Sequence, residues 1–264
     1  MAHGKRYRQQ YDKVDRDRAY PPAEAFSLVR DTASTKFDET VEVHILLGVN
    51  VRHAEEQLRG TLALPHGLGK DVTVAVFAQG QQARDAEAAG ADFVGSDDLA
   101  EKVEEGWTDF DVAIATPQMM GTVGKLGRVL GPQGKMPNPK VGTVTNDITK
   151  AVSESKAGKV EYRTDRHAIV HLPIGKHSFE EKALLENYAA VIEEIIRAKP
   201  AAAKGRYILS ITLTTTMGPG IRVDSAKVKA SEITAHGLPE VEAAPAPAEE
   251  PAAAPDDAEA PATA

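Results

Sequence analysis

Residues 71–115 repeat one pattern, and the segments on either side are too poor to close a core alone. Residues 71–78 (DVTVAVFA) alternate Val72, Val74 and Val76, which predicts a strand. Gly80 ends it, and residues 81–89 read as a short helix stopped by Gly90. Residues 92–94 read as a second strand. Ser96-Asp97-Asp98 reads as the start of a helix over 99–105, stopped by Gly106, and residues 110–115 read as a third, buried strand. This β-α-β-α-β order predicts a small parallel sheet flanked by helices. Residues 148–156 predict a further helix ended by Gly158.

The flanks carry fewer elements. Before the repeat, residues 22–33 read as a helix entered near proline, and residues 39–47 as a strand. Val41, Val43 and Ile45 lie on one face of that strand, Glu42 and His44 on the other. Residues 60–64 are expected to pair with it. After the repeat, residues 160–163 and 168–172 predict a hairpin, residues 179–198 the longest helix and residues 207–216 (YILSITLTTT) a strand. Leu184, Leu185, Tyr188, Ala189, Ile192, Ile195 and Ile196 set the apolar spacing of that helix. The economical arrangement is one α/β domain built from both flanks, with the middle inserted. Two consecutive domains also satisfy the pattern. With insertion, the chain crosses between domains at residues 66–70 and 156–159, both glycine-containing, so a hinge is expected there.

Composition narrows the class. The 264 residues suit roughly two domains. No apolar run approaches the ~18 residues of a membrane span. The opening MAHGKRYRQQYDKVDRDR lacks the apolar segment of a secretory signal, and residues up to about 20 are expected to order only against a partner. The absence of cysteine excludes disulfides, thiolate metal sites and cysteine nucleophiles, and fits a cytoplasmic protein. The net charge of −8 is misleading. Seven acids and no base lie from Leu238 onward, which leaves 32 acids against 31 bases in the rest. Residues 238–264, rich in Ala, Pro and acid, are expected to be disordered.

Three segments could meet a polyanion. Residues 112–146 contain no acid, and set Lys125, Arg128, Lys135 and Lys140 among six glycines. Glycine allows close backbone approach and the cations neutralise phosphate, although a solvated loop with turn glycines has the same composition. Lys36-Phe37 at a strand entry can stack a ring on a base while the cation meets phosphate; a core phenylalanine is the plainer reading. Thr214-Thr215-Thr216-Met217-Gly218 can offer hydroxyls to ribose and an adaptable apolar contact, or can simply end a strand in a Gly-Pro turn.

Catalytic signals are weak. No Gly-x4-Gly-Lys-Ser/Thr loop occurs, and Gly80 stands alone after the first strand of the repeat, so nucleotide and dinucleotide sites are not expected. His167 and His171 have the spacing of a helical metal pair, but they fall in a predicted strand, where four residues span roughly 13 Å. An enzyme using the middle segment remains the rival to a nucleic-acid-binding protein.

Residues 120–145, MGTVGKLGRVLGPQGKMPNPKVGTVT, closely resemble the signature of the universal ribosomal protein L-one family, bacterial type. KFDETVEV (36–43), RGTLALPHGLGK (59–70), AAGADFV (88–94), IVHLPIGK (169–176) and TTTMGP (214–219) resemble further family blocks in the same order. The resemblance runs from about Phe37 to Val223. It implies a two-domain α/β protein. Domain I, an α/β sandwich of residues 1–68 and 157–237, would be the main RNA binder. Domain II, an inserted Rossmann-like three-layer domain, would span 69–156. Thr164-Asp165-Arg166 departs from the Asn-Asp-Lys common in relatives, and the acidic tail exceeds a typical bacterial member.

By resemblance, Lys36, Phe37, Thr40 and Glu42 would flank one side of a site for the rRNA stalk. Thr216, Met217 and Gly218 would flank the other, with Ser210 nearby. Lys125, Arg128, Lys135 and Lys140 would take a secondary RNA- or tRNA-facing role. The implied partners are large-subunit rRNA, exit-site tRNA and the protein's own mRNA. The family implies no catalysis, cofactor, metal, membrane or small-molecule substrate, and a ribosome-associated place in the cytoplasm. The tail is expected to compete electrostatically with nonspecific RNA for basic surface.

Overall fold

The computed structural model describes residues 4–226; the expectation of a disordered tail over 238–264 lies outside them. The chain is α/β. Its elements run α1 (Lys5–Tyr11), α2 (Pro22–Thr32), β1 (Thr40–Leu47), β2 (Arg59–Ala63), β3 (Val74–Phe77), α3 (Gln81–Ala88), β4 (Phe93–Gly95), α4 (Asp97–Glu104) and β5 (Val112–Ala115). They continue with α5 (Met120–Val123), α6 (Gly127–Leu130), α7 (Ile148–Lys156), β6 (Lys159–Arg163), β7 (Ile169–Lys176), α8 (Glu181–Arg197), β8 (Ile208–Thr215) and β9 (Ile221–Val223). Among the described residues no helix is long and apolar enough to cross a membrane.

Strands from the two flanks interleave in one antiparallel sheet, ordered β7-β1-β8-β9. The alternation in β1 sends Val41, Val43, Ile45 and Leu47 into the core at 2% exposure or less. Against that face pack α2 and α8, whose Phe26 and Tyr188 rings meet edge to face at 5.6 Å. In α8, Leu184, Leu185, Tyr188, Val191, Ile192 and Ile195 are buried, whereas Ile196 is 45% exposed, against expectation. It directly follows the buried Ile195, and 100° of helical turn carries it off the inward stripe.

Four further expectations are corrected. Residues 60–64 do not pair with β1, because β7 and β8 occupy both its edges; β2 pairs with β6 in a separate two-stranded sheet. The expected hairpin of β6 and β7 is reduced to one bridge, Thr164 to Val170. A tight turn separates the two strands: the Asp165 carboxylate accepts the N–H groups of His167 and Ile169, and Ala168 takes a left-handed conformation with φ 63°. His167 therefore sits in a turn and not in a strand. Residues 4–20 fold back onto the body. Val14 and Tyr20 join the core, Arg6 bonds the Ser34 hydroxyl and Lys13 bonds the Asp31 carbonyl.

The middle segment forms a parallel sheet, β4-β3-β5. All four residues of β3 are fully buried, as a strand covered on both faces requires. One face packs Phe77 with Leu99, Val103, Phe110, Leu126 and Leu130, and the other packs Val76 with Ala86, Ile148 and Val152. A separate core joins residues from 14–64 and 160–223. The two connections between these regions run side by side: a Cβ on Gly158 (φ 92°) would lie 2.9 Å from the Cα of Gly67 (φ 63°). Only glycine meets both demands at position 158.

Candidate nucleic-acid interface

Antiparallel pairing of β1 with β7 and β8 brings three loop segments to one end of the four-stranded sheet. Thr40 faces Lys176, and Val41 faces Thr215. Beyond β8, Thr216 prolongs the ladder with its side chain. The Thr40 N–H donates to Thr216 Oγ1 at 3.0 Å, and the Thr216 N–H donates to the Thr40 carbonyl at 3.1 Å. The Lys176 ammonium reaches the Thr40 hydroxyl at 2.8 Å. Asp38 holds the third segment by accepting the Ser178 N–H at 3.0 Å and the Ser178 hydroxyl at 2.7 Å. The Ser178 hydroxyl is the first cause of the lowered Asp38 pKa; desolvation opposes it, and the Ser178 N–H and the nearby Lys176 add to the lowering.

Phe37 and Met217 project from this end. They are 56% and 60% exposed, the two highest values among the exposed large apolar side chains of the described residues. An open groove of about 610 Å³ is lined by both, with Lys36 and Thr35 beside Phe37 and with Arg6 and Tyr7 from α1. A ring, a thioether and two guanidinium or ammonium groups on one rim suit a partner with flat apolar faces and anionic links. Gly218 turns the chain where a Cβ would lie 2.3 Å from Thr215 Oγ1, so a larger residue would have to displace that buried hydroxyl.

The expected site residues separate by place. Lys36, Phe37, Thr40, Thr216, Met217 and Gly218 share this end of the sheet. Glu42 lies two residues along β1 on the outer face, opposite Thr214, and Ser210 pairs with Leu46 on the same face, four residues from Glu42. That is roughly 13 Å along the strand. Between them, His44 and His171 bring their Nδ1 atoms to 2.8 Å. Burial, then the neighbouring His171, lower the His44 pKa, while Glu42 opposes the shift. Pairing across strands creates this histidine contact.

The acid-free stretch is half core. Met119, Val123, Leu126, Leu130 and Val141 are buried. Lys125, Arg128 and Lys140 are exposed. Lys135 is half-buried: its ammonium donates to the Thr108 carbonyl at 2.8 Å and lies 5.3 Å from the centre of the Phe110 ring.

Sequence reasoning missed Lys176, Asp38, Ser178, Arg6 and, above all, Glu39. Glu39 is 1% exposed and touches both rim loops. Burial pushes its carboxyl up, but the hydrogen bonds it accepts, from the backbone N–H groups of Met217 and Thr35 among others, outweigh this and bring the pKa down to about 2. A signal existed, since residue 39 is in phase with Val41, Val43 and Ile45 on the inward face. Among the described residues, no group of three or more His, Asp or Glu side chains could hold a metal ion.

Comparison with known proteins identifies the family of the chain. Residues 29–219 match the model of the Ribosomal protein L1p/L10e family. The protein named large ribosomal subunit protein uL1 from Thermobifida fusca (strain YX) is 58% identical over 224 residues, covering 85% of this chain and 95% of that relative. The family match includes the Phe37 and Met217 rim and the glycine-rich stretch alike: the chain belongs to the Ribosomal protein L1p/L10e family.

Proposed function

We propose that the chain is a structural, non-catalytic RNA-binding component of the large ribosomal subunit in the cytoplasm. It holds the rRNA stalk at the end of the four-stranded sheet. It assists release of deacylated tRNA from the exit site and represses translation of its own mRNA by binding a similar RNA fold. Residues 1–68 and 157–237 act as the main RNA-binding domain, and residues 69–156 as a second domain inserted between them. The shared core of the flanks and the separate clusters around the parallel sheet support that division. Membership of the family and the name of its Thermobifida fusca relative support the ribosomal part of the reading.

The observation that carries the RNA site is the exposure of Phe37 and Met217 side by side on a cationic rim. Phe37 stacks on an unpaired base or ribose, and Met217 fills the adjoining apolar surface. Thr216 and the Gly218 backbone approach ribose hydroxyls, while Lys36 neutralises phosphate. Glu42 accepts from ribose hydroxyls or a guanine amino group. Ser210 extends the contact along the outer face. Lys125, Arg128, Lys135 and Lys140 form the secondary surface towards RNA or tRNA.

The test is binding of the stalk RNA fragment across a salt series, comparing the native chain with Phe37→Ala and Met217→Ala. Tight, salt-dependent binding weakened by both substitutions is expected. Binding indifferent to both would move the principal site elsewhere. Repression is tested separately, with a reporter fused to the protein's own mRNA leader.

A further inference from the structure

We propose that Glu39 is the positioning residue of the RNA-facing rim: one buried carboxylate fixes the Phe37 loop to the Met217 loop before RNA arrives. This inference rests on the reading of that rim as the RNA site.

Glu39 Oε1 accepts the N–H of Ser34 at 3.1 Å and of Thr35 at 3.0 Å; Oε2 accepts the N–H of Met217 at 3.1 Å. Its backbone carbonyl accepts the His177 N–H at 2.8 Å, which adds the loop after β7. Three segments distant in sequence thus converge on one residue. No ion pair is formed by Glu39 among the described residues. A carboxylate removed from water is costly unless its lone pairs are filled, and here backbone donors fill them.

The chemistry requires a carboxylate of this length. Both oxygens must accept, each towards a different loop. Glutamine has the same shape but must turn its NH2 group towards one of them, leaving backbone donors facing a donor. Aspartate is one methylene shorter and cannot span to both loops from the same backbone position. The loops so clamped carry the prominently exposed Phe37 and Met217, neither of which the core holds in place. Without the clamp, RNA would have to order both loops on binding, and that entropy cost would appear in the affinity.

The experiment measures binding of the stalk RNA fragment to the full chain for native protein, Glu39→Gln, Phe37→Ala and the double variant, over a salt series. Glu39→Gln is expected to weaken binding roughly tenfold to a hundredfold, the range set by a buried donor left unsatisfied. The slope of log Kd against log salt should stay unchanged, because Glu39 is buried away from phosphate. Phe37→Ala should cost less in the Glu39→Gln background than in the native chain, because the ring is then no longer held in position.

A Glu39 that only supports the fold would lower the melting temperature while the folded variant kept native affinity and the full Phe37→Ala effect; that result overturns the proposal. Amide hydrogen exchange on the free native chain gives a second reading that does not depend on the variant folding. The N–H groups of Ser34, Thr35 and Met217 should exchange as slowly as those within β1, and fast exchange at these positions overturns the clamp. If Phe37→Ala weakens binding and a folded Glu39→Gln does not, only the role of Glu39 falls. If neither Phe37→Ala nor Met217→Ala changes binding, the RNA reading of the rim falls and takes this inference with it.

Discussion

The rim around Phe37 and the stretch 112–146 both set cations beside glycines, yet they place their apolar residues in opposite ways. The stretch turns Val123, Leu126 and Leu130 inward to cover one face of the parallel sheet, leaving Lys125, Arg128 and Lys140 outside. The rim does the reverse: Phe37 and Met217 stand in solvent while a carboxylate is buried beneath them. Long-range charge raises local RNA concentration with little demand on geometry. A stacking ring and a fitted thioether act only at contact distance, so they need a fixed scaffold. On the function proposed above, the cations mark a surface that attracts polyanions, and the buried support under exposed apolar groups marks where one would be held.

The largest expected effect that separates the two regions is on stability. Leu130→Ala should cost about 2–5 kcal/mol in chemical denaturation, because it opens a cavity in a fully packed site. The folded remainder should bind RNA as before; a small loss of stability would mean that the stretch is not core. Phe37→Ala should show the opposite profile. Its stability should change by less than ~0.5 kcal/mol, and its RNA binding should weaken by about 1–3 kcal/mol, the range for a lost stacking contact. Lys125→Ala should weaken binding only a few-fold while flattening the salt dependence by about one phosphate contact. Equal losses for Phe37→Ala and Lys125→Ala would erase the distinction.

A pH ramp sharpens it further. The Glu39 pKa is lowered from its ordinary value of 4.5 to about 2 in the folded chain. Its contribution to stability is therefore present in full above about 4.5 and is lost as pH falls through about 2. Melting temperatures recorded between pH 5 and pH 2 should fall less steeply for Glu39→Gln than for the native chain. Parallel curves would mean that the carboxylate is not stabilised in its charged form. The smallest effect is expected from deleting residues 238–264, which should raise nonspecific RNA affinity a few-fold at low salt and little at physiological salt. No change at low salt would remove any electrostatic role for the tail.

Elements with their own periodicity were legible in the sequence. Residues 148–156 were expected as a helix and form one with those limits, and β1 alternates as read. Pairing was not legible for β2 and β6. Each has a pattern that several partners satisfy, and the choice depends on β7 and β8 having filled both edges of β1. The same limit applied at the site. Phe37 and Met217 could be singled out as residues, but their adjacency depends on the register of β1 against β8. Glu39 was the avoidable omission, since its parity with Val41 predicted an inward acid, and an inward acid demands partners. The contact of His44 with His171 had no local signature at all.

The Glu39 clamp grips peptide N–H groups, and every residue except proline carries one. The side chain at position 217 can therefore be exchanged without altering the bond its N–H gives to Glu39, whereas the Ser34 and Thr35 hydroxyls add bonds of their own, with Arg6 and with the Phe37 carbonyl. Shape and specificity are written in separate alphabets here. If this rim is the RNA site proposed above, substitution at the tips retunes which RNA is preferred while the frame beneath stays constant, and this end of the sheet is a place to reprogramme recognition without redesigning the fold.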